Sequence, residues 1–121
     1  MELIDIKNLT ENFNELKRDF HSKKPFKYIV FENFFLPDIA EEIYNSYPSI
    51  ENGKWDGTTY IDQKNKFQKT KFEEGSLMQN VFNELNSTEF LNWLQNLTEF
   101  EEEILGDSDL FGGGLHQSTN G

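Results

Sequence analysis

The chain has 121 residues, the length of one domain or part of one. Its 22 acidic against 11 basic residues give a net charge of −11, which repels phosphate backbones and anionic bilayers and argues against nucleic acid or a membrane surface as partner. There is no cysteine, which excludes disulfides, zinc–thiolate centres and thiol catalysis, and the apolar content lies largely in 12 Phe, 4 Tyr and 2 Trp, enough for an aromatic core.

The start, Met1-Glu2-Leu3-Ile4-Asp5, carries acids where a secretion signal needs bases. No run approaches the ~18 apolar residues of a membrane span. A cytoplasmic protein is the expectation. The glycosylation-like triplets at Asn8, Asn86 and Asn96 are then chance matches in an Asn-rich chain.

A first helix is expected over Leu9–His21. Asn8 would be its N-cap, and Glu11 would complete a capping box. Leu9, Phe13, Leu16 and Phe20 recur at steps of four, three and four, the stripe of a core-facing helix. His21 falls near the helix end, where an imidazolium suits the dipole, and reads as a surface residue rather than a metal ligand. Ser22-Lys23-Lys24-Pro25 breaks the helix. Phe26–Phe31 then reads as a strand, aromatic and β-branched with Lys27 its one polar residue, so that both faces would be covered.

Phe34-Phe35-Leu36-Pro37-Asp38 opens a second helix that runs to about Tyr47. Pro37 would lie in its first turn, with Asp38, Glu41 and Glu42 at its positive end. Ile39, Ala40, Ile43, Tyr44 and Tyr47 would form its buried face, and Pro48 stops it. Ser49–Gly75 is irregular. Trp55-Asp56-Gly57 suggests a turn and Thr58–Ile61 a short strand. Lys64, Lys66, Lys69 and Lys71 form the one basic cluster, a solvated loop or edge strand more readily than an anion site.

Ser76 caps a third helix over Leu77–Leu85, with Gln79 completing its box. Ser87 or Thr88 caps a fourth over Glu89–Leu97. In that last helix Phe90, Leu91, Trp93, Leu94 and Leu97 leave little polar surface, which suggests burial on two sides. Glu99–Asp109 carries six carboxylates in a spacing that matches no calcium loop, and reads as a solvated linker.

Asp109–Gly121 has three consecutive glycines, a strand-like tetrad Leu115-His116-Gln117-Ser118, and a Thr119-Asn120-Gly121 turn. Glycines in such a place mark positive φ or the close approach of another surface. Asn-Gly is a hairpin dipeptide, and the strand that would follow it lies beyond Gly121. Leu110, Phe111 and Leu115 would therefore lack strand partners.

Gly112-Gly113-Gly114-Leu115-His116-Gln117 with its polar turn resembles the segment before the metal-ligand strand in the 2-oxoglutarate/Fe(II)-dependent dioxygenases, in their prolyl 4-hydroxylase-like branch. The order strand, Asn33-Phe34-Phe35-Leu36-Pro37, helix, Tyr47-Pro48 is similar to that family's amino-terminal entry. Ser87–Thr98 resembles the helix before its glycine segment. The resemblance implies an α+β fold in which N-terminal helices brace the first strands of a double-stranded β-helix (jelly-roll) of about eight strands, incomplete in this chain. It implies a single domain over 1–121, the N-terminal part of an oxygenase that hydroxylates an unknown substrate while 2-oxoglutarate is decarboxylated to succinate.

Iron chemistry of that class needs two histidines and a carboxylate on one face of the metal. The chain has only His21 and His116, in no His-x-Asp pattern, and the family's His-x-Asp would follow Gly121. Fe(II) and 2-oxoglutarate are thus expected for the complete enzyme and neither for this chain alone. No nucleophile elbow or phosphate loop is present. The resemblance sets His116 and Gln117 near substrate or cofactor, since strand neighbours alternate sides and one of them would face the barrel mouth. A histidine that merely finishes a strand end is the competing reading of His116. The alternative function is a non-catalytic acidic α+β binding module. Unpaired strand edges predict self-association.

Overall fold

The computed structural model describes residues 1–49, 56–57 and 66–118. The described residues form an α+β fold with elements α1 (Ile6–Glu11), α2 (Phe13–Ser22), α3 (Ile39–Ser46), β1 (Asp56–Gly57), β2 (Lys66–Lys69), α4 (Leu77–Leu85), α5 (Thr88–Thr98) and β3 (Leu115–Ser118).

The expected first helix is two helices. Asp5, not Asn8, caps α1, its carboxylate accepting from Asn8 N at 3.1 Å. The break falls at Asn12, whose side-chain amide donates to Asn8 O and Asn8 Oδ1 at 2.9 and 3.1 Å. An asparagine that bonds the preceding turn competes with helix continuation. The apolar stripe nevertheless packs inward. Leu9 and Phe20 are buried, Leu16 lies against the cluster of Ile4, Leu9 and Phe90, and Phe13 meets Trp93 edge-on at 5.7 Å. His21 is half-buried rather than free on the surface, its Nε2 within 3.0 Å of Leu97 O.

The helices α4 and α5 form where their caps predict. Ser76 Oγ accepts from Gln79 N and Ser87 Oγ from Phe90 N, both at 3.2 Å. The reciprocal half of the first box is absent: the Gln79 amide donates to Asn83 instead. Packing of α5 on α2 and α4 buries Phe90 and Leu97 but leaves Leu91, Trp93 and Leu94 half-covered.

The N-terminal segment is held from both sides. Asp5 N donates to Phe34 O and Leu36 N to Leu3 O, each at 2.8 Å, around a single bridge between Ile4 and Phe35. On the other side the Glu84 carboxylate accepts from Leu3 N and Ile4 N at 2.9 Å, and from Glu2 N at 3.2 Å. One acid on α4 thus satisfies three backbone donors that no ladder reaches.

Phe26–Phe31 is not a strand. It has the predicted alternation, Ile29 and Phe31 turning in while Phe26 and Val30 stand about 70% exposed, but no described neighbour pairs with it. A strand needs a partner for its N–H and C=O groups, and composition does not supply one. The second predicted helix is shorter than expected. It starts after Asp38, which sits at φ 71 as its N-cap, so Pro37 precedes the helix rather than lying in its first turn. Its expected buried face is not buried: Ile39 and Ile43 are half-covered, Ala40 and Tyr47 exposed, and Tyr44 is 81% exposed.

The sheet is antiparallel, in the order β1-β2-β3. Asp56–Gly57 is thus a strand rather than part of a turn. Part of the basic cluster lies on β2, at the centre of this sheet, where an edge strand or loop was expected. Trp55, the strand expected at Thr58–Ile61, Lys64 and the Thr119-Asn120-Gly121 turn lie outside the described residues. Among the described residues, no helix is long and apolar enough to cross a membrane.

Candidate functional site

The glycine segment is positioned by a chain of side-chain bonds that begins in the helices. The Asn86 amide closes α4 by donating to Phe82 O at 2.9 Å, and Asn86 Oδ1 accepts from Asp107 N at 2.6 Å. The Asp107 carboxylate in turn accepts from Phe111 N at 2.9 Å and Gly112 N at 2.8 Å, while Asp107 O accepts from Leu110 N. Leu110 takes a left-handed φ of 55 and, as expected, pairs with no strand among the described residues, yet it is buried. Phe111 is exposed.

Gly114 makes the turn into β3. Its φ is +145, and a Cβ there would stand 2.9 Å from Lys69 O. The glycine is what lets β3 lie against β2, with Leu115 opposite Lys69, His116 opposite Gln68, and Gln117 opposite Phe67. Leu115 therefore has a strand partner, contrary to expectation.

His116 and Gln117 face opposite sides. His116 shares the exposed side with Gln68, and its carbonyl accepts from Tyr47 Oη at 2.8 Å, tying the end of α3 to the sheet. Gln117 shares the half-buried side with Phe67, Lys69 and Leu115, and its Oε1 is buried with no hydrogen-bond partner among the described residues. A buried amide oxygen left unpaired is costly, so this atom marks where an additional donor would be accommodated. The Lys69 ammonium stands 5.7 Å over the Phe72 ring, which stacks on Phe82 and links the sheet to α4. No separate anion site is drawn together by the described lysines.

The acidic run is pinned at its start. Gln95 donates to Phe100 O and Glu102 O and accepts from Ile104 N, and Glu99 pairs with Lys17 at 2.6 Å. The hydrogen bond and charge of Lys17 hold the Glu99 carboxyl below the usual carboxylate range. Its other glutamates, 101 to 103, are exposed, as a solvated linker requires.

The described residues do not come together as an Fe(II) site. His21 is engaged with the α5 terminus, His116 stands exposed on β3, and no three His, Asp or Glu groups among the described residues converge into a metal site. Sequence reasoning located β3 with His116 and Gln117 on it. It missed Asp107, Asn86, Glu84 and Gln95, whose roles lie in contacts that sequence proximity does not reveal. No family model, curated protein or solved structure matches the chain.

Proposed function

We propose that this chain is the front portion of a 2-oxoglutarate/Fe(II)-dependent dioxygenase of the prolyl 4-hydroxylase-like branch, its helices bracing the first strands of a double-stranded β-helix. The observation that carries the reading is Gly112–Gln117, a glycine run that passes directly into a paired antiparallel strand. Support comes also from Asn33–Pro37 leading into α3, and from an apolar α5 whose Trp93 and Leu94 remain half-exposed, as a helix awaiting more sheet would.

In this reading the ligands for iron and 2-oxoglutarate follow Gly121, and the complete enzyme hydroxylates its substrate as 2-oxoglutarate becomes succinate. The contribution of the present residues is positional. Gln117, turned inward with a free amide oxygen, suits a contact with substrate or cofactor better than the outward His116. The test continues the reading frame past Gly121 and assays succinate formation with Fe(II) and ascorbate. Turnover by the extended chain is expected, with no micromolar Fe(II) binding by the 121-residue chain in anaerobic calorimetry. An extended protein that contains both metal histidines but never consumes 2-oxoglutarate, whatever candidate substrates are offered, would sink the reading.

A second reading, a non-catalytic acidic α+β binding module, is favoured by the exposed row Phe26, Tyr28 and Val30. Exposed apolar groups in line are surface that recognition uses. The same succinate assay separates the two.

A further inference from the structure

We draw no further inference here: the strongest candidate, the groove of about 420 Å³ between α1, α2 and the segment 30–33, gathers the carboxylates of Glu15, Asp19 and Glu32 but carries nothing, because an acidic cluster is not by itself a site and no further feature of the described residues points to a ligand there.

Discussion

Gly114 carries more of the candidate site than the two glycines before it. Its Cβ would meet Lys69 O at 2.9 Å and Thr70 Cγ2 at 3.1 Å, and its φ of +145 is one that side-chain-bearing residues rarely adopt. Lys69 cannot move aside freely, because it is paired with Leu115 in the ladder. Gly112 has neither constraint: the nearest atom to its Cβ would be Asp107 Oδ2 at 3.5 Å. Gly114→Ala is therefore expected to destabilise the fold by about 1–3 kcal/mol, whereas Gly112→Ala should stay within ~0.5 kcal/mol. Urea denaturation of the two variants measures this, and equal effects would contradict the assignment. The three glycines in a row were legible as a place of close approach. Which of them is needed was not, because the answer lies in a carbonyl 45 positions earlier in the chain, from residue 114 to residue 69. Asp107 was hidden for a related reason. Among six carboxylates it looks like one more charge, and only the turn at Leu110 brings Phe111 N and Gly112 N onto it.

The elements divide by how local their causes are. Both α4 and α5 were legible because a serine followed three residues on by its hydrogen-bonded N–H is a signal contained within one turn. The tetrad Leu115–Ser118 was legible too, with its glycine lead-in. The break at Asn12 was not, since the apolar stripe continues across it and masks the competing side-chain bond. Phe26–Phe31 was misread as a covered strand because alternation predicts which residues turn inward, not whether anything lies alongside. Within α5 the structure separates two leucines that the sequence treats alike. Leu97 is fully buried and Leu94 half-covered. Leu97→Ala should cost about 2–5 kcal/mol, the range for a cavity in a closed core. Leu94→Ala should cost distinctly less, about 1–2 kcal/mol, in proportion to the smaller apolar area it withdraws from water. A full-size loss at Leu94, read from the same denaturation curves, would show that its face of α5 is already covered and would remove one support for additional sheet beyond Gly121.

At the scale of the molecule, few ties join the helices to the sheet among the described residues. The helical part has its own core, Ile4, Leu9 and Phe90 with the surrounding aromatic rings, and Glu84 fastens the N-terminus to it. The sheet is reached through Tyr47 Oη on His116 O, the Phe72–Phe82 stack and the Asn86–Asp107 relay. Local stability follows the density of such contacts, so the molecule should open in steps rather than all at once. Native-state hydrogen exchange should show three levels. The inner amides of α2, α4 and α5, such as Phe20, Val81 and Leu97, should exchange slowest. The β3 ladder from Leu115 to Ser118 should be intermediate, protected by its pairing with β2 but released before the helical core. Phe26–Phe31, with no described backbone partner, should exchange fastest. Protection of β3 equal to that of α5 would mean that sheet and helices unfold as one unit.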